Sequence, residues 1–263
     1  MNLNGKTVLL TGASGGIGSA ISKRLVKEGC RLLLIDRHEK PLQLIQRELD
    51  GSRHTHKIIV ADINSSDSRA DIVEQAQHAK VDILINAAGI LDFQLLEKQN
   101  SNIIEQTITT NLISPILLCK DLIPQLTLRP QATIVNLGSI FGSIGHPGFD
   151  VYCASKSGLK TFTEALRREL ADTSVKVKYL APRATSTKLN SNTVTELNKA
   201  LGNKTDTPEH VASSLVTLLT RDKNELFMGW PEKLLVRVNA LFPGIVHNAL
   251  VKQLAVIKKF AQQ

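Results

Sequence analysis

Tyr152 and Lys156 stand four residues apart at the start of a helical pattern spanning 151–170. Residues at i and i+4 share a helix face, so a phenol and an ammonium can lie side by side. An isolated phenol titrates near ~10. A neighbouring cation stabilises the phenolate and lowers that value, which suits a tyrosine that moves protons. Such a pair is also common on ordinary amphipathic helices and says little alone. Ser139 adds a hydroxyl directly after the apolar run 133–137. Phenol, hydroxyl and ammonium together suit proton transfer at a substrate oxygen.

A second group is glycine-rich. Thr11-Gly12-Ala13-Ser14-Gly15-Gly16-Ile17-Gly18 follows the apolar run 7–10 and opens a helical pattern. Glycine permits a tight turn and close approach of the backbone to a pyrophosphate. The helix N-terminus beyond it offers unpaired N–H groups and partial positive charge. The spacing differs from the usual G-x-G-x-x-G but serves the same purpose. Asp36 ends the next apolar run, where an acid receives the adenosine ribose hydroxyls. A carboxylate there repels a 2′-phosphate and favours NAD. Arg37 could instead pair with that phosphate, so NADP stays the alternative.

These groups need a scaffold that brings them together. Short apolar runs at 7–10, 32–35, 58–61, 81–85 and 133–137 lack alternation, as strands buried on both faces do. Helical patterns at 42–49, 72–77, 103–128 and 151–170 separate them. This rhythm predicts an α/β fold: a doubly wound, Rossmann-type parallel sheet of about seven strands with helices on both faces. Asp62, Asn86-Ala87-Ala88-Gly89, Asn136 and Ser139 all follow strands. In open α/β sheets, ligands bind at such strand ends. With no linker or repeat, residues 1–229 read as one domain.

Composition narrows the function. The chain has 263 residues, 42% hydrophobic and 21% charged, which excludes wholesale disorder and collagen-like structure. Cys30, Cys119 and Cys153 are odd in number and far apart. They suggest neither a disulfide framework nor metal-ligand spacing, and they predict a reducing, cytoplasmic compartment and no metal. Residues 1–6 lack the apolar stretch of a signal peptide, and no run approaches membrane-spanning length. The net charge is +8. No motif or basic patch interleaved with aromatics accompanies it, so nucleic acid is not expected as a partner.

Taken in order along the chain, these motifs resemble the short-chain dehydrogenase/reductase family in its single-domain form. The matching residues are Thr11-Gly12-x-x-x-Gly16-x-Gly18, Asp62-Ile63, Asn86-Ala87-Ala88-Gly89, Asn111, Ser139, Tyr152-x-x-x-Lys156, and Pro182 with Thr187. The likeness is nearly collinear from Gly5 to about Leu189. It implies an NAD(P)-dependent oxidoreductase that interconverts an alcohol and a carbonyl. Tyr152 would be the general acid/base. Ser139 would steady the substrate oxygen, and Lys156 would lower the Tyr152 pKa and hold the nicotinamide ribose. Asn111 would bend its helix and hold a water linking Lys156 to solvent. Gly12, Ser14, Gly16, Ile17, Gly18, Asp36, Arg37, Asp62, Ile63, Asn86, Ala87, Gly89, Pro182, Thr185 and Thr187 complete the cofactor-binding set, together with Tyr152 and Lys156. Within that set, Asp62 and Ile63 would flank the adenine and Asn86 would brace the central strands. A homodimer or homotetramer and a small-molecule substrate are also implied. The same fold also serves non-catalytic nucleotide-binding regulators or scaffolds. A complete Asn111, Ser139, Tyr152 and Lys156 set distinguishes the enzyme from these.

The sequence departs from the family pattern at Arg183, where a glycine is usual. Arg183 either reaches an anionic substrate group or points to solvent. The polar segment 184–202 then covers the usual substrate loop. Ile140, Phe141, Ile144 and Phe149 lean towards an apolar or lipid-like substrate, or they are plain packing. Residues 230–263 extend beyond the family's usual end as an amphipathic helical extension, which Pro243-Gly244 breaks into two short helices. Val246, Leu250, Leu254 and Ile257 form one apolar stripe. It packs either on the protein or a second subunit, or else in a membrane interface beside Lys252 and Lys259. The tail has five basic residues against Glu232 alone and so carries half of the +8.

Overall fold

The computed structural model describes residues 1–49, 51, 54–187, 189–221 and 223–262. Lys188 in the polar segment and Gln263 at the tail's end therefore lie outside the described residues. Seven parallel strands form one sheet: β1 (Thr7–Thr11), β2 (Arg31–Asp36), β3 (Lys57–Val60), β4 (Ile83–Asn86), β5 (Ala132–Leu137), β6 (Val175–Ala181) and β7 (Glu225–Phe227). Their order is β3-β2-β1-β4-β5-β6-β7. The chain reverses direction across the sheet between β1 and β4, which opens a crevice at their carboxyl ends.

The runs are continuous because both faces of the sheet are covered. Val8 and Leu10 join Ile21 and Leu25 of α1 (Gly16–Lys27), Leu42 of α2 (Glu39–Leu49) and helix 208–220 on one face. Leu9 between them packs on the other face with Ile72 of α3 (Ser66–His78) and with Leu118 and Leu122. The period of two in a strand thus sends successive apolar residues into two different cores. β4 starts at Ile83 rather than at Val81, because the Asp82 carboxylate is engaged outside the ladder. It accepts the Thr7 N–H at 3.0 Å and pairs with Arg129 at 3.0 Å.

The single helix expected over 103–128 is α4 (Ser101–Ile108), a π-helical turn (Thr109–Ile113) and α5 (Ser114–Thr127). Then come α6 (Asp150–Glu169), α7 (Asn192–Ala200), α8 (Pro208–Thr220), α9 (Glu232–Leu241) and α10 (Pro243–Ala261). α7 corrects the reading of 184–202 as a loop. The Ser191 hydroxyl caps it by accepting the Val194 N–H at 3.2 Å, and buried Val194 and Leu197 hold it down.

The tail breaks where Pro243-Gly244 indicates, but its second helix runs 19 residues and is not short. Its stripe packs on the chain itself. Val246 joins Ile140 and Ile144 in one buried cluster, while Ile257 joins Val194 and Leu197 of α7 in the cluster that also holds Phe149, Tyr152 and Cys153. Two of its four residues, Val246 and Ile257, are thus buried by the domain, while Leu250 and Leu254 are half-buried. No helix among the described residues is long and apolar enough to cross a membrane. The three cysteines are free and buried.

Candidate active site

The carboxyl ends of the strands open into a cleft of ≈ 760 Å³. Every sequence-predicted cofactor residue except Asn86 lines it, as do Ser139, Tyr152 and Lys156. One end is the glycine turn. Gly12 has φ +66°, and a Cβ there would fall 2.7 Å from the Ala88 Cα. Only glycine lets the β1 and β4 loops approach so closely. Thr11 stitches the same loops, its hydroxyl accepting the Ala87 and Ala88 N–H groups at 3.1 and 3.2 Å. α1 begins at Gly16 and has no acid in its first turn, so its leading N–H groups and dipole face the cleft uncompensated. Asp36 closes this end. Its carboxylate accepts N–H bonds from Ser14 at 3.2 Å and His38 at 3.4 Å.

The other end carries the polar set. Ser139 follows β5, and its hydroxyl accepts the Phe141 N–H at 3.1 Å, which starts the short 3₁₀ turn Ile140–Gly142. Tyr152 and Lys156 project from the first turns of α6 and are both buried. The Lys156 Nζ donates to the Leu137 carbonyl at 3.0 Å and lies 5.8 Å from the Tyr152 ring centroid. Burial pushes the Tyr152 phenol up to about 12, against the lowering effect of its hydrogen bond with Ser139. Burial also pushes Lys156 down to about 8. Burial of the phenol outweighs whatever lowering the Lys156 ammonium gives it, so the phenol stands above its ordinary value. At neutral pH the pair is a neutral phenol beside a charged ammonium.

Asn111 lies one layer behind the cleft, in the π turn. Its amide grips the Ile90 backbone twice, with Oδ1 accepting the N–H at 2.8 Å and Nδ2 donating to the carbonyl at 2.9 Å. π turns recur at functional sites because they re-aim side chains inside a helix. Asn86 braces the central strands, the role the resemblance implied for it, and does not line the cleft. Its Nδ2 donates to Asn136 Oδ1 at 2.9 Å, joining β4 to β5, so its side chain faces along the sheet rather than into the cleft.

Arg183 neither reaches the cleft's centre as a free cation nor points to solvent. It donates to Asp206 at 2.7 Å and to Glu232 at 3.3 Å, with its side chain only 14% exposed. Buried Asp206 and half-buried Glu232 pull the guanidinium inwards, and the pairing raises its pKa. The polar segment after β6 is thereby tied to α9. Thr187 is folded back over the turn, where a Cβ on Gly16 would lie 2.8 Å from its Cγ2.

Sequence reasoning missed several residues. The Tyr179 phenol lies 3.4 Å from both the N–H and the carbonyl oxygen of Ser139 and so fixes that backbone. The signal was weak: Tyr179 is one of two tyrosines, at the end of β6. Leu189, Val194 and Leu235 add apolar wall to the cleft, beside Ile140, Phe141, Ile144 and Phe149. They come from distant segments whose meeting has no local sequence pattern.

Uncompensated N–H groups, a glycine cradle, a carboxylate at one end and a buried ammonium at the other fit a nicotinamide dinucleotide. Known proteins agree. The family model described as short chain dehydrogenase matches residues 6–198. The 3-oxoacyl-(acyl-carrier-protein) reductase of Buchnera aphidicola is 34% identical over 73% of this chain and 80% of its own. The ketoacyl reductase HetN of Nostoc is 31% identical over 86% of this chain and 79% of its own. Among solved structures, the 3-ketoacyl-(acyl-carrier-protein) reductase of Brucella melitensis complexed with NADH superposes with TM-score 0.76 at 27% identity. It covers 82% of this chain and 91% of that one. The glycine turn, the serine–tyrosine–lysine end and these relatives place the chain in the short-chain dehydrogenase/reductase family, as an NAD(P)-dependent oxidoreductase acting on CH–OH and keto groups.

Proposed function

We propose that the protein reduces a carbonyl on an apolar chain, with Tyr152 as the proton donor. The observation that carries this reading is geometric: Tyr152 and Lys156 stand buried on α6 and line one end of the cleft together with Ser139, opposite the glycine turn. Reduction needs a proton delivered to the substrate oxygen, and a neutral phenol can deliver it. Bound in the cleft, the reduced nicotinamide supplies the hydride that goes to the carbonyl carbon. Ser139 donates a second hydrogen bond to the same oxygen as negative charge develops there. As Tyr152 gives up its proton, the Lys156 ammonium stabilises the phenolate left behind. Asn111 holds the Ile90 segment, and with it Gly89, beside Lys156.

Asp36 supports NAD over NADP, because its carboxylate meets the ribose hydroxyls and repels a 2′-phosphate. Arg37 beside it supports NADP as the second choice. The substrate class follows from the wall: Ile140, Phe141, Ile144, Phe149 and Leu235 are apolar, and the named relatives are 3-oxoacyl reductases. Residues 1–229 form the catalytic domain and 230–263 an extension in this reading. Self-association and peripheral membrane contact through that extension belong to it as well.

The test is cofactor oxidation by the purified chain, with NADH or NADPH and 3-oxoacyl thioesters of increasing length. Turnover that improves with chain length is expected. No oxidation with any carbonyl would overturn the reading.

A further inference from the structure

With the stripe of α10 turned to the domain, a different face of the tail is left uncovered. Leu234 and Leu241 recur at helical spacing along the outside of α9, and exposed Trp230 lies just before its start. Phe242 and Ile245 continue that surface across the turn into α10. Leu241 is 72% exposed, and Trp230, Phe242 and Ile245 are 61% exposed each. Five large apolar side chains, two of them aromatic, on so short a stretch form a patch that a water-facing surface rarely carries.

The charges around this face are all of one sign. Arg237 lies between Leu234 and Leu241 on the same side of α9. The Lys233 ammonium sits 5.4 Å from the Trp230 ring centroid. Lys252 and Lys259 occupy the side of α10 opposite that stripe. The tail's one acid, Glu232, is turned inwards to Arg183. Apolar and aromatic side chains interleaved with cations, and no free acid, complement an anionic lipid surface. A second copy of the chain would bring the same positive charges against these, which disfavours self-pairing through this face.

α9 is also a wall of the cleft. Leu234 faces outwards while its neighbour Leu235 lines the cleft, and Leu235 and Leu189 are 40% and 41% exposed at its rim. One helix therefore joins the outer apolar face to the rim of the site.

We propose that the outer face of α9 and the start of α10 dock on an anionic lipid bilayer, placing the cleft's leucine rim where a membrane-dissolved acyl ketone enters. The proposal rests on the carbonyl-reductase reading for its substrate but not for its binding. The full chain is mixed with vesicles of phosphatidylcholine alone or with phosphatidylglycerol added, and co-sedimentation is measured. The variant carries Leu241→Glu and Phe242→Glu, two exposed residues that do not line the cleft. The wild type binds the anionic vesicles. The variant binds them about a hundredfold more weakly, since two buried apolar anchors become repelled charges. Turnover of water-soluble ethyl acetoacetate stays unchanged in the variant, and turnover of a long-chain methyl ketone dissolved in the vesicles falls. Absence of wild-type binding, or equal binding by the variant, overturns the proposal. So does a halved solution mass of the variant, which assigns the face to a second copy. Loss of ethyl acetoacetate turnover in both proteins would break the reductase reading instead, leaving sedimentation to judge the membrane separately.

Discussion

The two ends of the cleft are built differently. The dinucleotide end is made by short runs at strand ends: Gly12 to Gly18 after β1, Asp36 at the end of β2, and Ala87 to Gly89 after β4. Its contacts are mostly backbone, such as the Ser14 N–H on Asp36. The substrate end is assembled from segments far apart in the chain. Ser139, Tyr152, Leu189, Val194 and Leu235 come from five segments, and the tail packs behind them through Ile257 in the cluster that holds Tyr152 and Val194. Backbone recognition fixes spacing and glycine content, so it leaves a sequence signature. Recognition by side chains leaves one only where the chemistry allows no substitute, as at Tyr152 and Lys156.

The largest expected effect separates the two ends outright. Tyr152→Phe removes the proton donor but leaves the glycine turn untouched. Turnover should fall about a thousandfold while cofactor affinity, read by calorimetry, stays the same. Comparable losses in both would mean that the ends are not independent.

Arg183→Ala probes the link between the substrate end and the tail. It strands Asp206, which is buried, and frees Glu232 of α9. A loss of about 2 kcal/mol in unfolding free energy is expected, with the KM for an acyl substrate raised more than kcat is lowered. Unchanged stability by denaturant titration would show that α9 is held by its apolar contacts alone.

Asp36→Ala acts at the dinucleotide end only. The preference for NADH over NADPH should shrink about tenfold with no change in acyl-chain preference. A shift in chain preference would break the division.

The smallest effect is in pH. Below about 8 Lys156 is charged and Tyr152 neutral, and both forms suit reduction. As pH rises through about 8, Lys156 loses its proton and can no longer stabilise the phenolate. Reduction should therefore hold level to that point and then decline by severalfold. A rate that rises above it would take Lys156 out of this role.

The sheet was legible because its strands are covered on both faces, so each reads as an unbroken apolar run. The site's polar set was legible because its residues keep fixed offsets from strand ends. Arg183 was not, since nothing local pairs it with Asp206 and Glu232, 23 and 49 residues away. Asn86 was legible as a brace of the central strands because it ends β4 beside Asn136 of β5. What covers each face of the tail was not legible, for a reason related to that at Arg183. Helical periodicity reveals an apolar stripe but not what covers it, and α10 carries its stripe against the domain while α9 leaves its own outside.

The sequence by itself determined the fold, the family, the hydride chemistry and the positions of Ser139, Tyr152 and Lys156, because periodicity and backbone turns are local properties of a chain. Tertiary structure alone decided that Tyr152 and Lys156 are buried together, that Arg183 is locked in ion pairs, and which face of the tail remains free. Burial and pairing depend on what the rest of the chain brings alongside, and no local pattern records it.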